Sequence, residues 1–319
     1  VRAFALALGV AAAALGAWLF HLGWVGALLL GLVVVLVLSV GLRGGDERPR
    51  DLAVTALYTS AAWRWGGLPD ADLFASREAQ AVFDTTNLAL ALLARGAPAL
   101  PEGLVQRHRV IDRLLAEAGV AHVLELAAGL SRRGVTVSGD AAVTYTEVDR
   151  AHVLARKRAL LERTPAGRAV LARPNLRLVA ADLAVAPLAD LVGAPAGAPL
   201  VVIAEGLFMY LDAEAQRAAW RRVRALFEGR SGRFLFDLVP PAEQPAPGRA
   251  GRLLERAMRR ATGGATIVAA PRTRADISAD LEALGFAVRA LDPAALAEAW
   301  GLPYRARPTQ QLVWECRVG

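Results

Sequence analysis

Residues 123–134 read VLELAAGLSRRG. A short apolar run carries Glu125 and passes through two alanines to Gly129, the pattern of a buried strand entering a nucleotide-binding turn. A dinucleotide turn of this kind requires G-x-G-x-x-G, whose glycines let backbone amides approach a pyrophosphate and let helix pack on sheet. Here only Gly129 and Gly134 are present, and Arg132 and Arg133 occupy the place of the third glycine. Glu125, directed into the loop, would repel a pyrophosphate. The stretch therefore predicts a strand-turn-helix that holds something other than a phosphate.

The flanking sequence repeats the strand signal. HVLEL (122–126), VTYTEVD (143–149), LRLVAAD (176–182), PLVVIAEG (199–206) and RFLFDLV (233–239) are short continuous apolar runs, as expected of strands covered on both faces of a parallel sheet. Helical stretches at 151–164 and 212–228 lie between them, and such alternation predicts a doubly wound α/β domain. FAVRAL and QQLVWECRV add two strands, for a mostly parallel seven-stranded sheet. A helix at 273–285 opens with a Thr/Asp capping pattern. A further helical region is expected near 248–262, and a non-helical insert with Pro303 and Pro308 before the last strand. Upstream, helices are expected over 51–65, 71–95 and 103–119, the first two separated at Pro69 and Asp70, the third ending at Gly119. The expected organisation is a helical cover over 51–119 and an α/β core over 120–319.

Ligands of open α/β sheets bind beyond the carboxyl ends of the strands, at the switch point of strand order. Four consecutive strands here deliver an acid to that edge: Glu125, Asp149, Asp182 and Glu205. Asp149 follows Gly129 by twenty residues, the place of a ribose-binding acid. A cofactor with no phosphate and a positive end suits this set. S-adenosylmethionine offers an ammonium to acids, a ribose to Asp149 and an adenine amine to Asp182.

VLELAAGLSRRG, YTEVDRAHVLARKRALL, LRLVAADL and VVIAEGLFMYLDAEAQ together resemble the leucine carboxyl methyltransferase family, in the branch related to tetracenomycin-type polyketide O-methyltransferases. TALYTSAAWRW and QRHRVID resemble that family's N-terminal helices, so the likeness covers about 51–318. It implies a class I methyltransferase fold with S-adenosylmethionine as cofactor. Glu125, Ala127 and Gly129 would form the cofactor loop, Asp149 would hold the ribose, and Asp182 and Leu183 would frame the adenine. Glu205 would lie beside the methionine part. Arg107 would pair with the cofactor carboxylate, with Arg109 as the second choice. Tyr58, Trp63 and Tyr210 would wall the acceptor pocket or pack the core. Asp237 is either a pocket residue or a cap, and His108 is expected to face solvent or a neighbouring helix. The sequence departs from the family at Ala127, where a glycine is usual, and at Ser131 and Arg132, where many relatives carry an acid and a threonine.

Composition excludes several other classes. The 319 residues include one cysteine, Cys316, so an intrachain disulfide is impossible and thiol-rich metal sites are excluded. The four histidines (His21, His108, His122, His152) lack ligand spacing, and no metal is expected. The formal charge of +7 comes almost entirely from arginine, Lys157 being the only lysine. No basic cluster interleaved with aromatics accompanies it, which argues against nucleic acid as a partner.

Residues 3–20 and 22–42 carry no charge, and each approaches the ~20 residues needed to cross a bilayer core. Arg2 precedes them, Arg43, Arg48 and Arg50 follow, and the loop between lacks Lys and Arg. The positive-inside rule then predicts a transmembrane hairpin with both termini and the catalytic domain in the cytoplasm, followed by a linker at 43–50. A cleaved signal peptide or a buried hairpin of another fold are the alternatives for this stretch. The resulting expectation is a membrane-anchored O-methyltransferase acting on a hydroxyl or carboxylate of a small, lipid-like acceptor. Its rivals are a nicotinamide-dependent oxidoreductase on a similar sheet and an inactive membrane-anchored binding domain.

Overall fold

The computed structural model describes residues 53–93, 100–243, 272–303 and 311–319. The expected membrane hairpin, the linker after it, the helical region at 248–262 and Pro308 lie outside them. Among the described residues no helix is long and apolar enough to cross a membrane. That finding overturns the expected placement as a multi-pass membrane protein.

The described residues fall into two units, 53–58 with 76–93 and all the rest. Helix α1 (Ala53–Trp65) contributes to both, and α2 (Arg77–Leu93) belongs to the first. In that first unit the Tyr58 hydroxyl donates to Asn87 Oδ1 at 2.8 Å, and its ring lies 5.3 Å from Phe83.

The second unit runs α3 (Leu100–Ala118), β1 (His122–Leu126), α4 (Arg133–Val137), β2 (Thr144–Asp149), α5 (Ala151–Glu162), α6 (Pro165–Leu171) and β3 (Leu176–Ala180). It continues with α7 (Leu188–Leu191), β4 (Leu200–Ala204), α8 (Ala213–Ala225), β5 (Gly232–Asp237), α9 (Arg274–Glu282), β6 (Ala287–Leu291), α10 (Pro293–Leu296) and β7 (Val313–Val318). The strands form one seven-stranded sheet in the order β3-β2-β1-β4-β5-β7-β6. All neighbours pair in parallel except β7, which runs antiparallel to β5 and β6. This confirms the doubly wound, mostly parallel sheet. The strand order reverses between β1 and β4, so the switch point lies where the strand ending in HVLEL meets the strand that precedes Glu205.

Burial explains the strand pattern. Every residue of β4 is buried, as are Val123 to Leu126 of β1. One face is filled by an aromatic group in which the Phe208, Trp220, Phe234 and Trp314 rings all stand within about 6 Å of Phe236. Each such side chain removes enough apolar surface from water to contribute roughly 1.5–3 kcal/mol. Trp314 also donates its indole N–H to the Leu238 carbonyl at 2.8 Å, so its polar edge enters the core satisfied. The α9 capping box is present, with Thr273 and Asp276 exchanging side-chain and backbone hydrogen bonds.

The elements that the sequence does not announce are short. The stretch expected as one helix over 151–164 is followed by a second, α6, opened by a Thr164 cap and Pro165. The insert expected to be non-helical contains α10, capped by Asp292. A turn or two of helix shows no apolar periodicity, because periodicity needs several turns to be read. Residues 71–74 form a 3₁₀ turn rather than the start of α2, after Asp70 takes a left-handed conformation.

Candidate functional site

The turn between β1 and α4 begins with strain. Ala127 has φ 54° and Gly129 has φ 54°. Left-handed backbone crowds the Cβ of any residue but glycine, so the alanine at 127 is the costly member of the pair. Ala127→Gly is expected to stabilise the protein by about 1 kcal/mol, the strain relieved exceeding the chain entropy that glycine adds to the unfolded state. A higher midpoint in urea denaturation checks this; an unchanged or lower midpoint contradicts it. Gly134, five residues beyond Gly129, is required by close packing instead. A Cβ there would collide with the Glu147 carboxylate and touch the Tyr145 ring.

Four amides of this turn are engaged within the protein. Ala128 N–H donates to the Val148 carbonyl, Gly129 N–H to Asp149 Oδ2 at 2.7 Å, Ser131 N–H to the Ala128 carbonyl and Arg133 N–H to Ser131 Oγ. A pyrophosphate could not use these four donors, which the turn has already committed. Asp149 ends β2, and its other oxygen accepts from the Arg150 amide at 2.7 Å. Ribose hydroxyls could reach only the remaining lone pairs of a carboxylate held rigid by two amides.

Just past β4, the Glu205 side chain is nearly buried and receives three cations or donors. Arg107 Nε lies 3.0 Å from Oε1; Arg133 Nη2 and His108 Nδ1 lie 2.7 and 2.8 Å from Oε2. Arg107 Nη1 also donates to Asp237 Oδ2 at 2.7 Å, and the Gly206 amide donates to the other Asp237 oxygen at 2.5 Å. Arg133 reaches further still. Its Nη1 donates to Glu125 Oε1 at 2.6 Å and its Nε to Asp112 Oδ1 at 2.7 Å, while the Tyr145 hydroxyl donates to Glu125 Oε2 at 2.8 Å. Six segments thus converge on one buried ionic cluster: α3, β1, the start of α4, β2, the residues after β4 and the end of β5.

His108 is sealed in this cluster, under the Trp63 ring at 4.6 Å between centroids. Of the two places expected for it, solvent is excluded and a neighbouring helix holds, through Trp63 of α1; it falls four residues after Leu104 and three before Ile111, on the buried stripe of α3. Burial, with Arg133 and Arg132 beside it, lowers its pKa to about 3 despite Glu205, so the ring is neutral. Arg132 Nε lies 3.2 Å from His108 Nε2, while Nδ1 is 2.8 Å from Glu205 Oε2 and 2.9 Å from Arg133 Nη2. Burial opposes the Glu205 charge, yet His108, Arg107 and Arg133 hold the carboxyl well below its ordinary range. Arg107 stays charged because Asp237 and Glu205 outweigh its desolvation, whereas burial raises the Asp237 carboxyl against the pull of Arg107. Beneath the turn, Lys157 pairs with Glu147 and donates to the Ser131 carbonyl at 2.5 Å.

The other expected site residues spread around this edge. Asp182 lies two residues past β3 and accepts from the Ala184 amide at 3.0 Å, and the Leu183 carbonyl accepts from Arg222 at 2.5 Å. Tyr210 is half-buried in a short 3₁₀ turn, close enough to Arg107 to favour its charge. Trp63 packs with Leu68, Ala71 and Val105 besides covering His108. Tyr58 keeps the partners of the first unit, and burial pushes its hydroxyl pKa up. Sequence reasoning missed Arg133, Arg132, His108, Asp112 and Tyr145. In the sequence the arginines stand out only as departures from an expected pattern, although charges placed beside an in-strand glutamate are natural partners for it.

Residues 69–224 match the leucine carboxyl methyltransferase family. A protein of Mycobacterium marinum (strain ATCC BAA-535 / M), provisionally named an S-adenosyl-L-methionine-dependent methyltransferase, is 34% identical over 167 residues, which make up 50% of this chain and 52% of that protein. A protein of the same name from Mycobacterium avium (strain 104) is 31% identical over 227 residues, 66% of this chain and 69% of that one. The chain thus spans about half the length of the first of these relatives and over two thirds of the second. Among solved structures, a DUF574 family protein from Streptomyces avermitilis MA-4680 has a TM-score of 0.52 at 17% identity, covering 82% of this chain and 97% of that one, a likeness of fold.

Proposed function

Because the chain belongs to the leucine carboxyl methyltransferase family, we propose that it binds S-adenosylmethionine at the carboxyl edge of its sheet and transfers the methyl group to an oxygen of a small acceptor. The observation that carries this reading is the turn at 127–133. Four of its amides serve protein acceptors rather than a pyrophosphate, while Asp149 stands beside Gly129 with a fixed carboxylate. That donor set suits a cofactor with a ribose and no phosphate and disfavours the nicotinamide alternative.

When bound, S-adenosylmethionine supplies an electrophilic methyl on sulfur. Asp149 would hold the ribose, Asp182 and Leu183 the adenine, and Glu205 with Arg107 the amino-acid end. The chain's main contribution is to orient donor and acceptor in line, which needs position rather than bond-making groups. His108 is not suited to act as a base, since both its nitrogens are engaged and its ring is neutral and sealed. That supports an acceptor already nucleophilic on arrival, a carboxylate in preference to a hydroxyl.

Calorimetry on the full chain with S-adenosylhomocysteine and, separately, NADH and NADPH tests the reading. Saturable binding of S-adenosylhomocysteine and none of the nicotinamide cofactors is expected. Binding of a nicotinamide cofactor, or of neither class, would overturn it.

A further inference from the structure

A cleft of about 330 Å³ opens on the outer side of α3, between the start of α4 and the turn after α10. Its lining includes Arg109, Arg113 and Arg132 against a single acid, Asp112. Asp112 is already committed, pairing with both Arg132 and Arg133. Arg113 is fixed as a platform: its guanidinium lies 4.5 Å from the centre of the Trp300 ring, and its Nε is 2.9 Å from Glu117. Arg132, at the floor, is only 3% exposed. Arg109 supplies the unmet demand, because its Nε is buried with no hydrogen-bond partner among the described residues. A buried guanidinium N–H without an acceptor is costly, and the groups that answer it best are carboxylates and phosphates.

We propose that this cleft is an oxyanion-binding site, in which Arg109 and Arg132 hold a phosphate or carboxylate group and Arg113, braced on Trp300, closes one side. The electrostatics agree with the geometry. Burial, then Arg133, with Arg109 adding to it, pulls the Arg132 pKa down to about 10 despite Glu205, and an anion would relieve that repulsion. The site is separate from the cofactor edge yet connected to it, since Arg132 also donates to His108, which faces Glu205. The proposal does not depend on methyl transfer, because its ligand is recognised by charge alone.

The test is thermal melting of the full chain at constant ionic strength, with chloride replaced stepwise by inorganic phosphate or, in a second series, by acetate. Constant ionic strength removes general screening from the comparison. A saturable rise in melting temperature with phosphate is expected; a rise with acetate as well would extend the site to simple carboxylates, and a flat acetate series would restrict it to phosphate. Arg109→Gln should shift the phosphate midpoint at least tenfold higher, while Arg221→Gln, an exposed arginine on α8, should leave it unchanged. No saturable response to either anion, an unshifted midpoint in Arg109→Gln, or an equal shift in Arg221→Gln would overturn the proposal.

Discussion

Replacing Arg133 with methionine is expected to lower stability by about 3–5 kcal/mol, the range seen when one partner of a buried ion pair is removed. The side chain is almost fully buried and bonds to Glu125, Glu205 and Asp112 at once. Methionine fills much of the space but leaves Glu125 with Tyr145 alone and Glu205 with Arg107 and His108. Two carboxylates then lose compensation in a region that water cannot reach. Urea denaturation at neutral pH measures the loss, and a change under 1 kcal/mol would show that the cluster is not cooperative. The pH dependence gives a second readout. The unfolded His108 takes a proton below about 6.5, whereas the folded ring does not until about 3. The unfolded Glu205 is protonated below about 4.5, whereas the folded carboxyl resists to well below that. Both groups bind more protons when unfolded, so the wild type loses stability as pH falls from 6.5. Arg133 depresses both pKa values, so the variant should show a shallower acid-side slope.

The contrast between Arg133 and the strands shows what a sequence discloses. Leu200–Ala204 announces itself because a strand buried on both faces must be apolar throughout, and that demand is local. The acids at strand ends are legible for the same reason: Asp149 and Glu205 interrupt apolar runs at predictable points. Their partners are not legible. Glu205 meets an arginine 98 residues away, and Asp237 meets the same arginine across 130. Such pairing depends on how α3 is laid against the sheet, which no window of sequence contains. Arg107 was expected to face the cofactor's carboxylate, and in the fold it bridges Glu205 and Asp237. Ala127 was legible as a departure from glycine, yet its left-handed backbone emerges only from the turn itself. His108 was recoverable, since its position on the Leu104–Ile111 stripe of α3 predicts burial more firmly than its polarity predicts exposure.

Asp149→Ala is expected to weaken S-adenosylhomocysteine binding by about 1–3 kcal/mol, the cost of losing charged hydrogen bonds, or roughly 5- to 150-fold in Kd. The carboxylate sits at the end of β2, beside the switch point, and both its oxygens already accept backbone amides from Gly129 and Arg150. Each oxygen retains a further lone-pair direction, and the two amides fix where those directions point. The residue therefore has two duties, to tie the turn at 127–133 to the sheet and to meet the ribose, and alanine removes both. Asp149→Asn separates them. Its carbonyl can still accept the Gly129 amide, but the charge and the second acceptor are lost, so the turn should hold while cofactor affinity falls. Calorimetry on both variants at a temperature well below their melting points keeps folding out of the comparison. If folded Asp149→Ala bound S-adenosylhomocysteine as tightly as the wild type, the ribose assignment would fail even though the family membership stood. If Asp149→Asn bound normally and only Asp149→Ala were impaired, the residue would be a tether for the turn rather than a ligand of the cofactor.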